Sequence, residues 1–269
     1  FRDSWEAGSF LRNFLKVIFN GRQTSVFFHK PLETEEIFTQ KRSSDHLVLK
    51  TDRLLRARFR KNRQAKIGPD ISNKRTLIHS ILNSSSVKQE IKVTSKGSAR
   101  LENIQKRKAY KYALEICSDI SYPVIYLYDK ALNWFWNNRY DGLEIIGIEK
   151  INNLAVENSL IYTPSHRSHI DYLALSYELY TNNLMLPQIV AGKNLNLPFL
   201  GRILRNGGAF FMRRSFGPNK LYSKVFFEHL RKLFQRGYSI EFFPEGGRTR
   251  TGRLLQPRPG IISMLSLIH

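Results

Sequence analysis

From residue 143 to residue 243 the chain alternates short apolar runs with stretches of helical period, and this alternation restricts the fold more than any other feature. The runs 143–148, 160–163, 188–191, 209–212 and 238–243 have the length and apolar content of strands. Between them, 150–155, 169–180, 199–204 and 218–236 read as helices. The last is the clearest: Tyr222, Phe226, Leu230 and Leu233 form one stripe, Pro218 suits a first turn and Gly237 ends it. Strands and helices in strict succession imply an α/β sheet covered by helices.

The chain before this region reads as mainly helical and basic. Residues 44–66 have a helical pattern in which Arg53, Arg56, Arg58, Arg60, Lys61, Arg63 and Lys66 are interrupted by no acid. Such a stripe is either a solvated face or a surface for phosphate groups of lipids or RNA. Gly68-Pro69-Asp70 signals a turn, 76–82 a short helix, 84–98 a polar connector and 101–120 a second helix. An amphipathic segment at 124–136 carries Tyr126, Leu127, Ala131, Leu132, Trp134 and Phe135, read as core or interface residues. Two regions follow from this, 1–120 helical and basic, and 121–269 with the α/β pattern.

The balance of 43 Lys and Arg against 22 Asp and Glu gives a formal charge of +21, so the expected partner is anionic: nucleic acid, an acidic membrane surface or a phosphorylated substrate. The single cysteine, Cys117, excludes an internal disulfide and reads as a small buried hydrophobe. No charge-free apolar run reaches the roughly 18 residues of a membrane span, so the membrane contact expected of this segment is peripheral. The chain opens at Phe1 and stops just after the apolar run 261–265, and it reads as a piece of something longer.

Three loops carry the residues suited to chemistry. The first is Pro164-Ser165-His166-Arg167-Ser168-His169-Ile170-Asp171, at a strand-to-helix junction, with the helix expected to start at Ser168. An imidazole becomes a general base when a carboxylate holds its second nitrogen, and His166 and Asp171 have the residue types for that pair. Five residues on one helix separate two side chains by about 140°. The pair therefore meets only if His166 stays in the loop. Ser168-x-x-Asp171 is equally a capping box, in which the acid caps backbone amides. The second loop, around Gly207, Gly208, Arg213 and Arg214, offers two guanidinium forks to a phosphate or two solvated charges at a strand end. The third, Pro244-Glu245-Gly246-Gly247-Arg248-Thr249-Arg250, joins a free backbone to cations and one acid suited to orienting an arginine or accepting from a hydroxyl. A G-x-S-x-G elbow, a Walker loop, G-x-G-x-x-G and H-E-x-x-H are all missing.

His166-x4-Asp171, then Gly208-Ala-Phe-Phe-Met-Arg-Arg214, then Phe243-Pro-Glu-Gly-Gly-Arg248, in this order, closely resemble the glycerolipid acyltransferase superfamily. The flanks, including Asn194-Leu-Asn196 and the run from Thr249 to Leu254, look like its membrane-associated bacterial glycerol-3-phosphate branch. The close match covers about residues 121–269. The resemblance implies a mixed sheet flanked by helices and transfer of a fatty acyl group from acyl-CoA or acyl carrier protein to the sn-1 hydroxyl of glycerol 3-phosphate. In that reading His166 deprotonates the hydroxyl, Asp171 orients His166, and Arg213, Arg214, Glu245, Gly246 and Arg248 hold glycerol 3-phosphate. No cofactor and no metal are expected. Acidic membrane lipids are expected as partners, at the cytoplasmic face of the inner membrane. Thr249 stands where family members often carry Ser, and a fourth family motif, an apolar strand with a proline, lies beyond His269.

Two other readings compete. A nucleic-acid-binding module on residues 53–66 leaves all three loops unexplained, so nucleic acid is not expected as a partner. A metal-dependent hydrolase using His166, His169 and Asp171 finds only His229 and His269 downstream, too few for a ligand set.

Overall fold

The computed structural model describes residues 48, 51–57, 59, 74–155, 158–215 and 219–268. Contacts divide the chain into two compact units, Phe1–Leu55 and Arg56–His269. Of the basic segment expected to be helical, residues 51–57 are helical, and most of the rest lies outside the described residues.

The second unit runs α1 (Lys74–Leu82), α2 (Ser85–Ser95), α3 (Ala99–Ile116), α4 (Tyr122–Arg139), α5 (Ile148–Ala155), β1 (Ile161–Tyr162), α6 (Asp171–Thr181), β2 (Gln188–Gly192), α7 (Leu200–Asn206), β3 (Ala209–Met212), α8 (Lys220–Gln235), β4 (Ile240–Glu241) and α9 (Gly260–Ser266). The four strands form one sheet in the order β1-β4-β2-β3. Every described pair is parallel, where a mixed sheet was expected. Parallel strands need crossovers, and the long amphipathic segments between them supply these.

Side chains alternate across the sheet with period two. Val190, Phe210, Met212, Ile240 and Phe242 project into the main core, where α1, α2, α3 and α8 meet them through Ile81, Val87, Ile116, Phe226 and Leu230. The other face carries Tyr162, Ile189, Ala209 and Phe243, under α4, α6 and α7. The stripe expected on α8 is the buried one, and Asn219 starts that helix by accepting a hydrogen bond from the Tyr222 amide at 3.1 Å. Cys117 is fully buried, as its size suggested, with its sulfur 3.5 Å from His229 Nδ1. Burial pushes the thiol up to about 12 and the imidazole down to about 3, so both are neutral.

Four local expectations are corrected. Residues 143–148 form no strand: Gly142 and Gly147 take positive φ, Ile145 and Ile148 pack on a small side cluster, and Ile146 is 90% exposed. The supposed polar connector contains the helix α2, because Val87 and Ile91 share one face and bury against α8. Helix α6 begins at Asp171 rather than Ser168. On α4, Leu127 and Trp134 are exposed rather than core, since the helix turns Ile125 and Trp136 inward instead.

Phe226 is fully buried against the rings of Phe210 and Tyr222. Phe226→Ala is expected to cost about 3–5 kcal/mol of unfolding free energy, whereas exposed Leu267→Ala changes it by about 0.5 kcal/mol or less; chemical denaturation checks both.

Candidate active site

Parallel strands deliver their following loops to one edge, and the first and third loops singled out above, Arg213 and Arg214 of the second, and the 3-10 turn Lys193–Leu195 leave the carboxyl ends of strands, whereas Gly207 and Gly208 precede β3. His166 is fixed on every side. Its amide donates to Glu245 Oε1 at 3.0 Å, and its carbonyl accepts from the Thr249 amide at 2.8 Å. Its ring packs on Phe243 with centroids 4.1 Å apart. Its Nδ1 lies 3.1 Å from Asp171 Oδ2.

The same Oδ2 accepts from the amides of Arg167 at 2.7 Å and Ser168 at 2.8 Å. Only the acid's half of the expected capping box forms, since Asp171 accepts from the Ser168 amide while Ser168 Oγ accepts from the Ile170 amide ahead of the helix, and the same Asp171 oxygen also holds the imidazole. Burial opposes ionisation of Asp171, yet the Ser168 and Arg167 amides and His166 hold it below the usual carboxylate range. A carboxylate can only accept, so the shared proton is on Nδ1, and Nε2 is the basic nitrogen. His169 stands edge-on to His166 at 6.2 Å between ring centroids. Burial, together with the Arg248 and His166 charges, lowers its pKa and so favours the neutral ring.

Glu245 is buried and directs both oxygens to backbone amides, Oε1 to His166 and Oε2 to Leu255 at 2.9 Å. Those two donors hold its pKa below the ordinary carboxylate range. It staples the third loop to the first. Gly246 follows at φ +64°, a backbone conformation that strains any side chain, and an added Cβ there would also meet Arg258 Cδ at 3.0 Å and require that side chain to shift.

The paired arginines part company. Arg213 forms a two-pronged ion pair with Glu115 of α3, at 2.7 and 2.8 Å, and its guanidinium lies against the rings of Tyr112 and Tyr222. The Glu115 bond raises the guanidinium's pKa further, and Lys193 Nζ sits 3.3 Å from the same carboxylate. Arg214 and Arg248 are exposed and make no ion pair among the described residues. Glu115 was missed from sequence because an acid in a basic helix carries no local signal of a partner 98 residues away.

His166, His169 and Phe243 share the wall of a cavity of about 360 Å³. The rest of its lining is mostly apolar, with Leu132 of α4, Leu173 of α6, Ile189 and Ala191 of β2 and Leu204 of α7 among the contributors. Apart from His166 and His169, no sequence motif marks this cavity, since its apolar residues are scattered over several elements, among them α4, α6, β2, α7 and β3. Among the described residues no helix is long and apolar enough to cross a membrane, and no group of three or more His, Cys, Asp or Glu is placed to hold a metal ion.

Residues 143–267 match the acyltransferase family model, and residues 1–68 match the N-terminal domain model of the glycerol-3-phosphate acyltransferase PlsB. The chain is 44% identical over 264 residues to a glycerol-3-phosphate acyltransferase of Pseudomonas paraeruginosa. It is 45% identical over 268 residues to the protein of that name from Pseudomonas fluorescens and 44% identical to that from Pseudomonas putida. Each alignment takes in 98% of this chain and 32% of the relative, so the chain spans about a third of the length of the curated relatives it matches.

Glu245→Ala removes the staple while leaving the dyad residues in place. Hydrogen exchange is expected to quicken at the His166, Thr249 and Leu255 amides and to stay unchanged in α8; unaltered exchange at those three would show that the loops hold without it.

Proposed function

We propose, from the match of residues 143–267 to the acyltransferase family model, that the protein transfers a fatty acyl group from a thioester donor, acyl-CoA or acyl carrier protein, to the sn-1 hydroxyl of glycerol 3-phosphate. The observation that carries this reading is the His166–Asp171 pair opening onto an apolar cavity, a general base beside a space suited to a hydrocarbon chain.

His166 Nε2 takes the proton of the hydroxyl as that oxygen attacks the thioester carbonyl. Asp171 stabilises the imidazolium formed. Collapse of the tetrahedral intermediate breaks the carbon–sulfur bond, and the imidazolium proton passes to the departing thiolate. No acyl-enzyme is required, and Cys117 is buried on the core side of the sheet. The cavity receives the acyl chain.

Arg214 and Arg248 bind the phosphate in this reading, because Arg213 already has its fork occupied by Glu115. Arg213 and Glu245 act on substrate through the loops they hold, and Gly246 shapes the turn. The catalytic segment is 121–269, buttressed by Glu115 from the preceding helical region.

Peripheral attachment to acidic lipid on the cytoplasmic face of the inner membrane completes the proposal. The charge of +21 supports it, as do exposed Leu197 and Phe199, which lie between the cavity-lining Leu195 and Leu200.

In the full-length protein, His166→Ala is expected to lower turnover about 10²–10⁴-fold with the fold intact. Arg214→Ala and Arg248→Ala are expected to raise KM for glycerol 3-phosphate about tenfold or more, whereas Arg213→Ala chiefly lowers thermal stability. Steady-state assays with glycerol 3-phosphate and either donor check the set; normal turnover by His166→Ala would refute the assignment of the base.

A further inference from the structure

Glu241 belongs to β4, the strand between β1 and β2, and is fully buried. Its register partners are Tyr162 on β1 and Ile189 on β2. Paired residues of a parallel sheet point to the same face. Ile189 lines the apolar cavity, as does Phe243 two residues further along, whereas Ile240 and Phe242 belong to the opposite core. The Glu241 carboxyl therefore projects toward the cavity face, where α6 begins with Asp171.

Both Glu241 oxygens lack a hydrogen-bond partner among the described residues. The titratable groups that bear on it are Asp171 and Tyr172 from α6 and Tyr162 from β1, while β2 presents only Ile189. No base is among them. An ionised carboxylate held in this way has neither donors nor a counter-charge, which is among the costliest arrangements a protein interior can contain. Burial, and then the Asp171 charge, push its pKa up to about 8.

We propose that Glu241 is a positioning residue for the His166–Asp171 pair, a carboxyl that stays protonated so that no second charge on the cavity face of the sheet repels Asp171. The inference rests on the acyl-transfer reading above for its activity readout and on the sheet register for its geometry. Ionisation of Glu241 places a second negative charge behind Asp171 in a low-dielectric setting. The repulsion works against the first turn of α6, and with it against the Arg167 and Ser168 amides that Asp171 gathers.

The test compares wild type, Glu241→Gln and Glu241→Ala in the full-length protein across neutral and alkaline pH. Wild-type kcat is expected to fall as pH passes about 8, with KM for glycerol 3-phosphate nearly constant. Glu241→Gln keeps the shape without the charge, so the neutral-pH rate is rescued and the alkaline fall is lost. Glu241→Ala is slower at every pH. A Gln profile superimposable on wild type would overturn the proposal. So would a folded but inactive Gln variant, since the proton itself would then be in use.

A second measurement needs no substrate. A glutamate whose folded pKa lies above its ordinary 4.5 destabilises the fold progressively as pH rises from that value to about 8. Glu241→Gln is therefore expected to gain stability over wild type throughout that window, with the gain levelling off above it. Absence of the window overturns the buried neutral carboxyl. The window without turnover of glycerol 3-phosphate supports Glu241 as described and counts against the reaction instead.

Discussion

One carboxylate oxygen organises the site. Asp171 Oδ2 gathers the amides of Arg167 and Ser168 and the Nδ1 of His166, so the conformation of the loop and the tautomer of the imidazole are set by the same atom. Charge-assisted hydrogen bonds are the stronger kind, and three converging donors compensate for partial burial of the acid. Because Asp171 opens α6, its orientation is inherited from a helix packed over the sheet. The imidazole thus owes its direction to tertiary packing, with Glu245 fixing the His166 backbone from the opposite loop.

Among the described residues, two arginines work inward. Arg205 donates to the carbonyls of Glu115 and Cys117 at 2.6 and 2.5 Å and lies over the Phe211 ring, closing the carboxyl end of α3. Arg213 grips the Glu115 side chain from the end of β3. Together they bind α3 to the sheet edge on which the chemistry stands. A basic motif is therefore a poor guide to which cation meets an anionic ligand: the fork of Arg213 is occupied, and that of its neighbour Arg214 is exposed without an ion pair among the described residues.

The α/β class and the long helix α8 were legible because burial imposes a period, and the period is written in residues such as Tyr222, Phe226, Leu230 and Leu233. The His166–Asp171 pairing was legible as one of two readings, and the acid's half of the other uses the same oxygen. Residues 143–148 misled because an apolar run marks burial rather than strand pairing, and two glycines with positive φ break its backbone. Helix α2 was hidden by serines and lysines around a buried stripe, Val87, Ile91 and Ser95, with only two apolar members. Glu115, Glu241 and the cavity were out of reach for a different reason. Each depends on which distant residue the sheet brings alongside, and local composition holds no record of that.

Residues 240 to 243 show how stability and chemistry are coupled. Ile240 and Phe242 bury in the main core, while Glu241 and Phe243 face the cavity and the dyad. A slip of one residue in the pairing of β4 would drive the carboxyl into the hydrophobic core and turn two apolar side chains toward His166. Burial of the apolar pair, fixed by Ile161 against Ile240 and Gln188 against Ile240, excludes that register. The free energy that fixes the strand thus also determines which side chains meet the imidazole. An acid with no donor is tolerated at Glu241 because the neighbours that bury it are themselves well packed, and its neutral form is the one such surroundings favour.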